Sequence, residues 1–153
     1  MRYEGFEQDL YHVYESEVLG VTMFGVLARL AIGAERKRKW AALRDLENQT
    51  MQRYLDFVAD KPEFVDKPRP GSAKGYLFAL LFLFLPWRAA MKALADGTGP
   101  FMEVFQRLES HAAPDELDFY RYVVAHEEAI ASFAGLELQG SAQSLDAVNA
   151  LLP

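Results

Sequence analysis

The chain has 153 residues, a formal charge of −6 at pH 7 and no cysteine. The absence of cysteine excludes disulfide scaffolds, thiolate metal sites and thiol nucleophiles, and the acidic balance without a basic tail argues against nucleic acid as a partner. Because 51% of the residues are apolar and 13% are aromatic, we expect one globular domain over residues 1–153 with a well-packed core.

The first ten residues, MRYEGFEQDL, are acidic and contain no apolar run. A signal peptide needs such a run after a basic start, so the segment is not predicted to be one. The sequence therefore predicts a soluble, cytoplasmic protein.

The first predicted helix covers residues 6–32 and the second covers residues 36–59, because apolar side chains recur at steps of three and four. Gly33 is the expected C-cap of the first helix. Asp9 and His12 lie off the apolar stripe and are predicted to be at the surface. The basic run at residues 35–39 is interpreted as a solvated corner between the two helices. The predicted stripes are Leu10, Tyr14, Glu17, Val21, Phe24, Ala28 and Ala31 in the first helix, and Trp40, Leu43, Glu47, Thr50, Tyr54 and Phe57 in the second.

Residues 61–72 contain three prolines and a glycine, which predicts an extended connection. The third helix is expected from residue 72 or 73 to 95, with Pro86 kinking or breaking it. Its apolar run at residues 76–87 has twelve residues, whereas a membrane span needs about 20. We therefore expect a central buried helix that associates with a second copy of the chain, and membrane contact is disfavoured.

The Asp-Gly-Thr-Gly-Pro segment at residues 96–100 is expected to end the third helix. A short helix at residues 100–111 and a last long helix at residues 114–138 are predicted to follow. Gly140 is the expected cap of the long helix, and Ser144 is expected to cap a final short helix that ends at residue 152. No credible strand is visible, so the predicted fold is an all-α four-helix bundle.

Three carboxylates occupy positions where apolar side chains are expected. Glu17, Glu47 and Glu127 each lie at the centre of an apolar stripe, with apolar neighbours one turn before and one turn after. A lone buried carboxylate costs several kcal/mol or has a raised pKa. The three side chains are therefore predicted to meet one another or to meet a positive group.

This pattern resembles the ferritin-like superfamily, which includes the rubrerythrins and bacterioferritins. In those bundles two helices each give a Glu and the other two each give Glu-x-x-His, all pointing at two metal ions. Glu17 resembles the first-helix ligand of the family. The second-helix motif is resembled by Glu47-Asn-Gln-Thr50, and the fourth-helix motif by Glu127-Glu-Ala-Ile130. Thr50 and Ile130 stand where the family has His, and no acidic residue lies between Asp66 and Asp96 in the third helix.

With only three of the usual six ligand positions filled, the resemblance implies a protein that has lost the standard di-iron centre. In the favoured hypothesis it contains no cofactor and acts by binding or assembly, with Arg88 or Lys92 neutralising the carboxylates. The first alternative is an iron- or manganese-dependent oxidase or hydroxylase that uses the three glutamates and His126. The second alternative is a bundle that binds a small apolar ligand in a pocket lined by Phe78, Phe82, Phe84 and Trp87.

Several neighbours of the carboxylates follow from the same helix faces. His126 is expected to be buried, either bonded to a core neighbour or acting as a metal ligand. Tyr14 and Tyr54, with Tyr120 and Tyr122, are expected to donate hydrogen bonds to the carboxylates.

Overall fold

A computed structural model describes residues 2–61, 64 and 72–153. Within these ranges the chain forms six helices and no strand, which confirms the all-α prediction. The helices are α1 (Phe6–Leu30), α2 (Ala34–Val58), α3 (Ala73–Phe84), α4 (Trp87–Ser110), α5 (Leu117–Leu138) and α6 (Asp146–Leu151).

The core lies between the four long helices. α1 packs against α2 and α4, and α5 packs against α4 and α2. The short helix α3 packs against α1, while α6 packs against α5 and α2. The buried apolar residues form two clusters, one around Leu27, Trp40 and Phe133 and the other around Leu10 and Tyr120.

The first two helices agree with prediction to within two residues at each end. Gly33 does not cap α1, whose C-cap is Ala31. It precedes α2 as its N-cap, with a φ of 94° that favours glycine. The predicted extended connection at residues 61–72 lies mostly outside the described residues.

Pro86 breaks the predicted third helix into two pieces, as expected, because α3 ends at Phe84 and α4 begins at Trp87. The predicted end at residues 96–100 is wrong, since α4 continues through this segment to Ser110. The Thr98 hydroxyl donates to the Ala95 carbonyl (2.8 Å) inside the helix. Burial of Met91, Thr98 and Phe105 gives the segment a continuous packed face, and this tertiary packing outweighs the low helix propensity of Gly and Pro.

The last long helix begins at Leu117 and not at residue 114. Gly140 caps it as predicted: it has a φ of 70°, and the N–H of Ser141 donates to the Leu136 carbonyl (2.9 Å). The predicted capping role of Ser144 is wrong. Leu145 is the N-cap of α6, and the Ser144 hydroxyl donates instead to Glu137.

The prediction that the third helix is buried at the centre of the molecule is wrong for a single chain. Gly75 and Ala79 face α1, and a Cβ at Gly75 would lie 2.8 Å from the Leu19 carbonyl oxygen. The opposite face is exposed and consists of Tyr76, Leu77, Phe78, Leu80, Leu81 and Phe84. None of the helices in the described ranges combines the length and apolar character that a membrane span requires.

Candidate metal centre

Three helices bring Glu17, Glu47 and His126 together in the core. Glu17 comes from the middle of α1, Glu47 from α2 and His126 from α5, and all three side chains are buried. One oxygen of each carboxylate and one ring nitrogen of the histidine lie within 4.8 Å of one another. Because metal–oxygen and metal–nitrogen bonds are about 2.0–2.2 Å long, small side-chain rotations could close this set around one ion.

The hydrogen bonds inside this cluster leave Glu17 unsatisfied. Nε2 of His126 lies 3.0 Å from Glu47 Oε2 and can donate to it, whereas Nδ1 of His126 lies 3.9 Å from Glu17 Oε1. Glu17 is fully buried, and among the described residues no N–H or O–H group donates to either of its oxygens. It lies within hydrogen-bond reach of the carboxyl group of Glu47, a contact that needs a proton on one of the two groups. A buried carboxylate with no donor is costly unless it is protonated or meets a cation.

Burial and the neighbouring carboxylates determine the charge of the cluster. Burial raises the pKa of Glu17 well above its usual range, and the charges of Glu47 and Glu127 raise it further. Burial lowers the pKa of His126, but the carboxylates of Glu47 and Glu127 outweigh burial and raise it overall. Without a cation, the cluster therefore favours a neutral Glu17 and a charged His126.

Glu127 follows His126 on α5 and is also buried, although it does not belong to the three-donor group. Burial raises the pKa of Glu127 to about 7, with His126 lowering it and Glu47 raising it. The structure thus brings the three predicted glutamates into one electrostatically linked region, with Glu127 beside the donor set.

An open cavity of about 430 Å³ adjoins the cluster and is lined by residues of α1, α2, α3, α4 and α5. Its apolar lining includes Phe24 from α1, Phe82 from α3, Leu94 from α4 and Ile130 from α5. The three cluster residues and Glu127 line it as well. Lys74 and Phe78 on exposed positions of α3 also belong to the lining, so the cavity reaches the surface beside that helix.

The predicted ion pair between the carboxylates and Arg88 or Lys92 is wrong. Both residues are exposed: Arg88 Nη1 donates to the Leu138 carbonyl (2.8 Å), and Lys92 Nζ lies 2.9 Å from Asp96. The break at Pro86 resets the direction of the chain, so positions after it do not continue the face of α3. α4 therefore turns both side chains outward.

The other predicted neighbours, Thr50, Tyr14 and Tyr54, make the following contacts. The hydroxyl of Thr50 donates to the Leu46 carbonyl (2.9 Å) and lies 3.1 Å from that of Tyr122. The rings of Tyr14 and Tyr54 pack against each other with centroids 5.5 Å apart, and the Tyr54 hydroxyl lies 3.4 Å from the Phe64 carbonyl.

Of the predicted pocket residues, Phe78 and Phe82 line the cavity. Phe84 is 82% exposed, and Trp87 packs its ring against Trp40. The indole of Trp87 donates to Glu137 (2.7 Å), which also accepts from Lys39. This polar network ties α4 to α2 and α5.

Two features of the site region were missed from the sequence. Gly20 lies one turn after Glu17, and a Cβ there would lie 2.5 Å from Cδ and Oε1 of Glu47, so the glycine makes room for that carboxylate. Asp9, predicted at the surface, is buried and accepts two hydrogen bonds from Arg107 of α4 (2.6 and 2.8 Å). These bonds hold the pKa of Asp9 below its usual range. In the sequence, Gly20 was visible only as a small residue next to the apolar stripe of α1. No sequence pattern indicated the ion pair between Asp9 and Arg107.

Comparison of the chain with protein-family models, with curated proteins and with solved structures finds no significant match.

Proposed function

We propose that the protein binds one divalent metal ion, iron or manganese, through Glu17, Glu47 and His126, in a degenerate ferritin-like bundle. The observation that carries this proposal is Glu17: a fully buried carboxylate, without a hydrogen-bond donor in the described part of the chain, within 4.8 Å of two other ligand-type donors. A cation would satisfy it and would remove the repulsion from Glu47.

The donor set favours these metals. Carboxylate oxygens suit manganese, and imidazole suits iron and zinc, while the cysteine-free sequence offers no thiolate. The described residues of α3 and α4 contribute no carboxylate to the cavity lining. Two adjacent ions need bridging and terminal ligands from all four long helices in a ferritin-like site, so a single ion is proposed.

The open side of the donor set supports a catalytic role. Three protein ligands leave coordination positions for water or substrate, which is typical of catalytic metal ions. The adjoining cavity would give a small molecule access to those positions. The reaction class that we propose is a two-electron oxidation of that molecule with dioxygen as the oxidant, which would leave as hydrogen peroxide. Hydroxylation would in addition need an external two-electron reductant, and in either case the ion would mediate the electron transfer.

A metal-free protein that acts by assembly is the second candidate, and the exposed apolar face of α3 favours it. It no longer has support from Arg88 or Lys92, because both point away from the carboxylates. In this candidate Glu17 would remain neutral in the core.

The test is the metal content of protein purified without chelator, followed by titration of the chelated protein with Mn²⁺ and Fe²⁺. We expect one ion per chain and a higher melting temperature with metal. Glu17→Gln should weaken binding by at least about a hundredfold, because it removes a direct ligand. The affinity of the parent should rise with pH, since binding releases the protons of Glu17 and His126.

Glu128→Gln is the matched control, because Glu128 lies next to Glu127 on α5 but is exposed. It should bind metal like the parent. A chain that is purified without metal and is not stabilised by either ion would exclude the metal site and leave assembly as the function.

A further inference from the structure

We propose that the cavity beside the cluster binds an uncharged, mainly apolar small molecule, with a hydrocarbon chain or an aromatic ring as its main part. This inference rests on the proposed function in one respect: the molecule bound in the cavity would be the substrate of the metal ion. The occupancy of the cavity is measurable separately from the metal.

The lining determines the polarity of the ligand. Four helices contribute apolar side chains to it, including Met23, Phe24, Phe82, Leu94 and Ile130. Outside the cluster, its polar side chains are Ser16, Lys74 and Thr98. Ser16 and Thr98 already donate to the carbonyls of Val13 and Ala95. A ligand with several polar groups would lose hydrogen bonds to water that this lining does not replace.

The charges around the cavity determine the charge of the ligand. Glu17, Glu47 and Glu127 line it together with His126, and all four are buried. The remaining charged lining residue, Lys74, is exposed at the opening, where water and salt screen its charge. Three carboxylates in a poorly solvated space disfavour an anion. A bound divalent ion would balance the charges of Glu17 and Glu47, so an organic cation would gain little there. An uncharged molecule fits both conditions.

The volume is also suitable, because ligand pockets commonly enclose about 300–1,000 Å³ and this cavity encloses about 430 Å³. Lys74 of α3 and Ala93 and Gly97 of α4 are exposed lining residues, so a route from the surface runs between these two helices.

Two glycines of α4 offer a matched pair of variants. A Cβ at Gly97 or at Gly99 meets no atom within 4 Å, but only Gly97 lines the cavity. Gly97 is exposed at the edge of the cavity and an added Cβ there meets no atom, so Gly97→Leu should narrow the cavity, whereas Gly99→Leu should leave it open. Both replace a helix glycine, which favours folding. Ala93→Leu, one turn before Gly97 and also in the lining, is the second cavity-filling variant.

The probe is N-phenyl-1-naphthylamine, an uncharged dye that fluoresces in apolar surroundings, compared with the anionic dye 8-anilinonaphthalene-1-sulfonate. Both are titrated into protein loaded with one equivalent of Mn²⁺, and metal affinity is measured separately by calorimetry. Leu77→Gln combined with Leu81→Gln removes part of the exposed α3 face, which does not line the cavity at these positions, and controls for dye bound to that face.

We expect one saturable site per chain for the uncharged dye and at least about tenfold weaker binding of the anionic dye, a difference of about 1.4 kcal/mol. Gly97→Leu and Ala93→Leu should each weaken the uncharged dye at least about tenfold by filling the cavity. Gly99→Leu and the α3 double variant should bind it like the parent, and metal affinity should be unchanged in all variants.

Equal dye affinity in Gly97→Leu, Ala93→Leu and Gly99→Leu would overturn the proposal, as would equal affinity for the two dyes. Loss of the dye in the α3 double variant would assign binding to the surface and would also overturn it. If the parent protein bound the dye but did not bind metal, the proposed function would be contradicted and the ligand proposal would stand.

Discussion

At the scale of single residues, Gly20 shows how the sequence makes room for the cluster. The glycine lies on α1 one turn after Glu17, and an added Cβ would lie 2.5 Å from Cδ and Oε1 of Glu47. The carboxyl group is the far end of a flexible side chain, so it can move away while the backbone stays in place. Gly20→Ala should therefore leave the fold intact and displace one proposed metal ligand.

We expect Gly20→Ala to lower Mn²⁺ affinity at least about tenfold in calorimetric titration, with a melting temperature of the chelated protein close to that of the parent. Gly25→Ala is the control on the same helix, because a Cβ there meets no atom within 4 Å. It should raise stability by about 0.5–1 kcal/mol, since alanine is the better helix former, and leave the affinity unchanged. Unchanged affinity in Gly20→Ala would show that the position of Glu47 does not matter for the ion.

At the residue scale, the buried glutamates were predictable from the sequence and the buried Asp9 was not. Glu17, Glu47 and Glu127 were identified because a charge within an apolar stripe is visible in the sequence itself. Asp9 was misplaced because Arg107, the partner that makes its burial tolerable, lies 98 residues away in the chain. Its hydrogen bonds belong to the packing of α1 against α4, which no local pattern encodes.

At the scale of elements, the main error concerned α4. Local propensity predicts a break at Gly97, Gly99 and Pro100, yet the helix continues because its buried face runs through the segment. Pro86 did end a helix, as predicted, since the extended backbone at Leu85 and Pro86 separates α3 from α4. The direction of the second piece was then not predictable, and Arg88 and Lys92 were placed on the wrong face.

The continuity of α4 is testable at Pro100. Proline within a helix removes one backbone hydrogen bond and crowds the preceding turn, at a cost of about 3 kcal/mol relative to alanine. Pro100→Ala should therefore raise the free energy of unfolding by about 1–3 kcal/mol, measured by urea denaturation. If the segment were a loop, the same change would lower stability by up to about 1 kcal/mol, because alanine gives the unfolded chain more conformational entropy than proline does. The sign of the change distinguishes the two structures.

At the scale of the whole molecule, the exposed apolar face of α3 is the basis for a prediction of self-association. Its six side chains, Tyr76, Leu77, Phe78, Leu80, Leu81 and Phe84, are 38–82% exposed. They amount to roughly 600 Å² of apolar surface per chain, against about 800 Å² per partner in a standard interface. These six side chains are uncharged and Lys74 precedes them at the start of α3, so the face favours pairing with an apolar surface. A twofold contact of α3 with α3 meets this condition and brings in flanking residues that supply the remaining area.

We therefore expect a homodimer, with twice the 17.3 kDa mass of the chain in sedimentation equilibrium. Leu77→Gln combined with Leu81→Gln should give a monomer with unchanged helix content, because two adjacent turns of the face lose their apolar side chains. Ile32→Gln is the matched control: Ile32 is 87% exposed but lies between α1 and α2, away from the face. A parent that stays monomeric at high concentration would contradict the dimer, and its flotation with lipid vesicles would assign the face to a membrane surface. Dissociation by Ile32→Gln but not by the α3 double variant would place the interface elsewhere.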